Sequence, residues 1–299
     1  MSQSKITTED EKRVKAMGFL KNKGTDCFSA RVITVNGKIT AAQSKCIAEA
    51  AKLYGNGIIT LTSRLTMECQ GIRYDKIQSF KDYIGKEGLV TGGTGPKVRP
   101  IVSCKGTTCQ YGLIDTFALS EEIHERFYIG YANVKLPHKF KIAVGGCPNN
   151  CVKPDLNDIG IVGQRIPTYD PERCLSCKKC GVANACPNNA AILEDNLLKL
   201  SQDLCNHCGR CVGQCPFGCI SGGTVGYKIY VGGRWGKKVA IGIPLHKIFT
   251  SKEETLDVIE KLLLFYKEQG HTGERLAQTI ERIGFDVLER ELLSEVKES

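Results

Sequence analysis

The sequence predicts an α+β fold in which a β-α-β-α unit precedes a second α/β unit, and a cysteine-dense segment interrupts the second. Three observations carry this expectation. Apolar residues switch between strand-like alternation and helical spacing through the first third of the chain. The sixteen cysteines are clustered, with eight from Cys174 to Cys215 and four from Cys104 to Cys151. Strand character then resumes beyond the dense segment, at 228–231. A chain of 299 residues with 41% hydrophobic content has material for a substantial core, ordinarily split over two or three compact units, and is not a disordered chain.

The elements follow in order. Residues 28–35 alternate as a strand does, 41–54 carry apolar residues at helical spacing, 57–61 are strand-like, and 74–84 are helical again. This is a half-unit of split, ferredoxin-like type. Thr91-Gly-Gly-Thr-Gly-Pro96 ends it and reads as a loop. The segment lacks the G-x-G-x-x-G spacing, preceding strand and following helix that a dinucleotide site requires. Residues 111–127 are expected to be helical, 140–144 and 159–162 to be short strands, and 252–299 to form charged outer helices broken near Gly270 and Gly284. No solenoid-type repeat is present.

Cysteine stands at about three times its usual frequency. Disulfide scaffolds are short and secreted, and the chain begins Met1-Ser-Gln-Ser-Lys without an apolar signal segment. The expectation is therefore a cytoplasmic protein with reduced, metal-bound cysteines. No apolar run approaches the ~20 residues of a bilayer span, so no membrane span is expected. Lys+Arg exceed Asp+Glu by 41 − 32 = +9. Such an excess fits either a nucleic-acid or anionic-lipid surface, or cations held for anionic cofactors.

The dense segment repeats one spacing. Cys174-Leu-Ser-Cys177-Lys-Lys-Cys180 is followed by Cys186-Pro187, and Cys205-Asn-His-Cys208-Gly-Arg-Cys211 by Cys215-Pro216. Three cysteines two residues apart hold three corners of an iron–sulfur cube, and the cysteine before proline crosses to the other cube. Cys174, Cys177, Cys180 and Cys215 are thus expected on one [4Fe–4S] cluster, and Cys205, Cys208, Cys211 and Cys186 on a second. Zinc sites use separated C-x2-C pairs, often with histidine, and seldom this register. The segment is similar to a bacterial two-cluster ferredoxin. A further constellation, Cys104-Lys-Gly-Thr-Thr-Cys109 with Gly146-Cys147-Pro-Asn-Asn-Cys151, closes one four-thiolate site if the fold brings both loops together. Its spacing alone leaves iron–sulfur and zinc both open.

That second constellation resembles the cluster signature of the siroheme-containing sulfite and nitrite reductases. Further positions match in order: Cys27-Phe-Ser-Ala-Arg31, Leu61-Thr-Ser-Arg64, Gly95-Pro-Lys-Val-Arg99, Leu136-Pro-His-Lys139-Phe-Lys141 and Val231-Gly-Gly-Arg234. The resemblance covers the chain from about Leu20 to the C-terminal helices, and is greatest to the catalytic chains of anaerobic sulfite reductases. Leu65 stands after Arg64 where many members carry glutamine.

The resemblance implies a ferredoxin-like half (1–96), a siroheme/[4Fe–4S] α/β domain (97–165 and 223–299) and an inserted two-cluster ferredoxin domain (166–222). It implies siroheme and three [4Fe–4S] clusters, one held by Cys104, Cys109, Cys147 and Cys151, with Cys151 bridging to the siroheme iron. Arg31, Arg99, Lys139 and Lys141 are implied to bind and protonate the substrate, and Arg64 and Arg234 to contact siroheme carboxylates. Lys139 and Lys141, two apart on an expected strand, share one side of it. The implied activity is reduction of sulfite to sulfide. Nitrite reduction to ammonia, or electron transfer without a working siroheme site, are the alternatives. The chain has no flavin or nicotinamide motif, so a separate donor is expected; the resemblance implies flavin-containing NADH-oxidising and iron–sulfur subunits as partners, within a complex built on a homodimer.

Cys27, Cys46, Cys69 and Cys219 have no ligand spacing and are expected to be small buried apolar groups. His138 and His207 are read as structural. Three cubes with their thiolates carry about −6 in total, so the +9 excess is read as complementing internal anions rather than nucleic acid.

Overall fold

The structure, a computed structural model, describes residues 6–294. Its first elements are α1 (Thr8–Ala16), β1 (Phe19–Lys21), β2 (Cys27–Val32), α2 (Ala41–Tyr54), β3 (Ile59–Leu61), β4 (Met67–Arg73), α3 (Ile77–Gly85) and β5 (Val102–Ser103). There follow α4 (Thr116–Ile123), β6 (Ile142–Gly145), β7 (Ile159–Tyr169), α5 (Gly181–Ala185), β8 (Ala191–Glu194), β9 (Leu197–Leu200), β10 (Ile220–Val231) and β11 (Ile243–Phe249). The chain ends in α6 (Lys252–Gln269), α7 (Leu276–Ile283) and α8 (Phe285–Leu293), interrupted near Gly270 and Gly284 as their spacing predicts. Residues 295–299 of that helical stretch lie outside the described residues. Contacts divide the chain into two compact units. One comprises Met1–Ser103, Ser120–Ile142 and Leu262–Leu288, the other Cys104–Leu119, Ala143–Lys261 and Glu289–Ser299.

In the first unit four antiparallel strands take the order β1-β2-β4-β3, with α2 packed on α3 and β4. The α2 helix starts where Thr40 and Gln43 cap each other reciprocally, at 3.0 Å in each direction. Phe19, Phe28, Ile47, Ile72, Phe80 and Ile84 are fully buried in its core. Phe80 meets Phe19 and Tyr54 edge-on at 6.1 and 6.4 Å, a geometry worth about 0.5–1.5 kcal/mol per pair beyond burial.

The sequence reading sees two of these four strands. The β1 strand is only three residues long, and β4 loses its alternation at a bulge where Gln70 and Gly71 together oppose Ser29. Gly71 has φ +77°, and a Cβ there would lie 2.9 Å from Asn56 Cβ. The helix expected from residue 111 begins at Thr116 instead, because Asp115 accepts from the Ala118 amide at 3.0 Å and caps it. It continues as a π-helical turn, His124–Ile129.

In the second unit β7 and β10 form a long antiparallel ladder running from Ile159↔Val231 to Tyr169↔Ile220, with β11 beside β10 and β6 beside β7. Both long strands extend well past the expected four residues. Pro167 and the Gly222-Gly223 pair opposite it weaken the strand signal without ending the ladder. The cysteine-dense segment is an excursion from the far end of this ladder, closed by the Asp170 amide donating to the Cys219 carbonyl at 2.9 Å. Within it, β8 and β9 pair through a two-residue turn whose Asp195 and Asn196 both have positive φ, the geometry of a tight hairpin. Among the described residues no helix is long and apolar enough to cross a membrane.

Candidate active site and cluster sites

The first unit holds a cavity lined by Arg31, Arg64, Arg99, Lys139 and Lys141, with Thr62, Ser63, Thr66, Gly93 and Pro100. Five cations from four chain segments converge there. Arg31 projects from β2. Arg64 belongs to the turn joining β3 to β4, whose shape is set by Thr62 and Thr66, with their hydroxyls 2.7 Å apart, and by Leu65 at φ +58°. Lys139 and Lys141 precede β6 rather than lying on a regular strand. They flank Phe140, which is fully buried and forms a parallel bridge with Val98. The extended backbone at that bridge brings both lysines to the same cavity.

Gly93 organises the arginines. Its carbonyl accepts from Nη1 of Arg31 at 3.0 Å and also from Nη1 of Arg99. Burial first, and then Arg31 and Arg275, push the Arg99 guanidinium down to about 10, against Tyr128. Its Nε is buried without a hydrogen-bond partner. Arg64 is tied by Nε and Nη2 to the Pro100 carbonyl, at 3.2 and 2.5 Å, and by Nη2 to that of Ile142 at 3.1 Å. Expected at the siroheme carboxylates, it shares one cavity with the four residues expected at the substrate. His138 beside them is held below its ordinary value, first by burial and then by Lys139, Arg275 and Arg99.

Gly93 has φ +73°, and a Cβ there would stand 2.9 Å from Pro100 Cγ and 3.3 Å from Arg31 Cδ. Gly93→Ala is therefore expected to cost about 2–4 kcal/mol, from backbone strain and overpacking together. Gly95, at φ +81° with nothing within 4 Å of an added Cβ, carries strain alone, so Gly95→Ala should cost only about 1–2 kcal/mol. Chemical denaturation of the two variants checks the difference; equal costs would show that Gly93 is not sterically required.

The second unit gathers the cysteines. Burial raises the Cys147 thiol, and neighbouring Cys104, Cys151 and Cys109 raise it further. Cys104 Sγ accepts from the Gly146 amide at 3.1 Å. The two loops touch through glycine, since a Cβ on Gly106 would lie 2.9 Å from Gly146 Cα. Cys151 is exposed, while Cys104, Cys109 and Cys147 are half-buried.

In the excursion, burial raises the Cys211 thiol, and neighbouring Cys205, Cys208 and Cys186 raise it further. Those four line one small cavity. Cys174, Cys180 and Cys215 surround Cys219 instead, whose thiol burial pushes up to about 12. Among the described residues no three His, Cys, Asp or Glu side chains are drawn together as tightly as one metal ion needs. Arg234 bridges by its backbone to Ala240, and its Nε is buried without a hydrogen-bond partner. Cys46, Cys69 and Cys219 are buried as expected; Cys27, at the start of β2, is only half-buried.

The nitrite and sulphite reductase 4Fe–4S domain model matches residues 94–299, and the nitrite/sulfite reductase ferredoxin-like half domain model matches 20–86. The chain belongs to this family. It is 34% identical over 257 residues to the coenzyme F420-dependent sulfite reductase of Methanocaldococcus jannaschii, covering 85% of this chain and 39% of that one. With one of the subunits of the anaerobic sulfite reductase of Salmonella typhimurium it is 29% identical over 174 residues, 53% of this chain and 49% of the other. The chain thus spans from about two-fifths to half the length of these two relatives. The fold matches the crystal structure of dissimilatory sulfite reductase I with a TM-score of 0.72 at 22% identity, covering 90% of this chain and 69% of that one.

The family brings iron–sulfur and siroheme cofactors. The chain has donors that fit them. Soft thiolates suit iron–sulfur clusters. An exposed Cys151 beside three half-buried thiols suits a cluster reached from one side, and the buried unpartnered Nε of Arg234 suits a carboxylate acceptor. Sequence reasoning missed Glu68, Gly93 and Tyr128. Burial raises the Tyr128 phenol, while the Gly93 amide beside it and the cations of Arg99 and Arg31 act in the opposite direction. Only the Gly-rich motif offered a signal for any of the three.

Proposed function

We propose that the chain is the catalytic subunit of a siroheme-dependent sulfite reductase that reduces sulfite to sulfide. One observation carries the reading: five cations line one cavity in a member of this family, with no acid among the described lining residues. Three [4Fe–4S] clusters are assigned, one to Cys104, Cys109, Cys147 and Cys151, one to Cys174, Cys177, Cys180 and Cys215, and one to Cys186, Cys205, Cys208 and Cys211. Residues 1–96 form the ferredoxin-like half, 97–165 and 223–299 the cofactor domain, and 166–222 the insert that relays electrons.

Siroheme, when bound, would supply an iron able to bind the anion and deliver electrons to it. The chain's own residues do the rest. Arg31 and Arg99 grip oxyanion oxygens by charge-assisted hydrogen bonds, while Lys139 and Lys141 offer protons from Nζ to oxygens that leave as water. Arg64 fixes the turn it shares with Thr62 and Thr66, and Arg234 takes a cofactor carboxylate. The chain works as a homodimer in a cytoplasmic complex, each copy lending cations to its partner's siroheme, with flavin-containing NADH-oxidising and iron–sulfur subunits as donors. Full activity from a monomer in sedimentation would remove the shared site.

Protein purified without oxygen should show siroheme bands and reduce sulfite faster than nitrite with a chemical reductant. Faster nitrite turnover makes it a nitrite reductase. Absence of the bands leaves an electron carrier.

A further inference from the structure

We propose that Glu68 is a positioning residue of the cationic cavity, fixing the plane of Arg31 so that its terminal fork meets the bound anion. The proposal rests on reading that cavity as the oxyanion site. Arg31 has five N–H donors. Nε and Nη2 both donate to one Glu68 oxygen, at 2.9 and 2.7 Å, and Nη1 donates to the Gly93 carbonyl at 3.0 Å. Three donors are thereby committed, which leaves one N–H on each terminal nitrogen. Such a pair grips two oxygens of a single oxyanion.

The pairing is set by the backbone. On one side of the bulge Phe28 opposes Ile72, and that register, continued without the extra residue, would set Cys69 opposite Arg31. The bulge at Gln70 and Gly71 shifts β4 by one position, and Glu68 takes the place. Thr60 of β3 holds Glu68 from the other side. The side chains of Arg31 and Glu68 are only 22% and 19% exposed, so the ion pair escapes much of the screening that weakens surface pairs. No acidic residue lines the cavity among the described residues, and Glu68 reaches it through Arg31.

Glu68→Ala removes the acceptor, whereas Glu68→Gln keeps an oxygen at the same reach. In the holoenzyme, Glu68→Ala should raise KM for sulfite about tenfold with kcat within about threefold, and Glu68→Gln should return KM to within about threefold of wild type. In an Arg31→Lys background Glu68→Ala should change KM by less than about twofold. Unchanged KM in Glu68→Ala, or failure of Glu68→Gln to restore it at equal siroheme content, overturns the proposal; so does an equal effect in both backgrounds. Glu68→Met, similar in size and without an acceptor, serves if the alanine chain does not fold.

A second readout needs no turnover. Inorganic sulfate should raise the Tm of the wild type and of Glu68→Gln, and should raise that of Glu68→Ala less at the same concentration. A sulfate shift in a wild type that reduces neither sulfite nor nitrite sinks the functional reading and keeps the clamp. An equal shift in Glu68→Ala, or none in the wild type, sinks the clamp.

Discussion

Cys151→Ser is expected to abolish sulfite turnover while most of the iron remains bound. Cys151 is the exposed member of its group, and Cys104, Cys109 and Cys147 stay half-buried behind it. A serine hydroxyl is a hard, protonated group at neutral pH and replaces a soft thiolate poorly on iron. The cluster assigned to these four residues would be lost or decoupled. About four of the roughly twelve cluster irons would then be missing at most, and the two clusters of the excursion retained. Iron analysis and visible spectra at matched protein concentration read both effects. Cys69→Ser is the control: Cys69 is fully buried, its thiol pushed up to about 12 by burial, and serine there should cost about 1–3 kcal/mol without loss of iron. Wild-type turnover by Cys151→Ser would remove the cysteine from the site.

Local signals in the sequence were enough for some elements and not for others. The 41–54 helix is legible to the residue because Thr40 and Gln43 form a capping pair at one end and Gly55 follows the other. The β4 strand is not, because a bulge needs a partner strand to define it and leaves only a broken alternation in its own residues. That same bulge decides that Glu68 rather than Cys69 faces Arg31, which is why Glu68 carries no sequence signal. The cationic residues were nameable from motif resemblance. What aims them, one glycine carbonyl shared by two arginines, depends on a loop that sequence marks only as glycine-rich. The proposed grouping of cysteines in the excursion rests on spacing, since a two-residue interval on a tight loop leaves thiols few other ways to converge.

Lys139→Met and Lys141→Met are each expected to lower kcat/KM for sulfite about a hundredfold at unchanged siroheme and iron content. Methionine keeps the length and apolar stem of lysine and removes only the ammonium, so the packing of Phe140 between them is preserved. Both lysines line the cavity that holds Arg31 and Arg99. Loss of a proton donor should appear chiefly in kcat, whereas loss of an anion contact made equally in ground and transition states should appear in KM. The two variants therefore separate the roles. If Lys139→Met falls in kcat and Lys141→Met in KM, or the reverse, one ammonium delivers protons and the other holds the anion. The double variant tests whether they act as a unit, since groups serving one step lose less together than the product of their single effects. Unchanged kinetics in both would leave the arginines as the whole of the anion site, and would turn the lysines into a solvated basic edge.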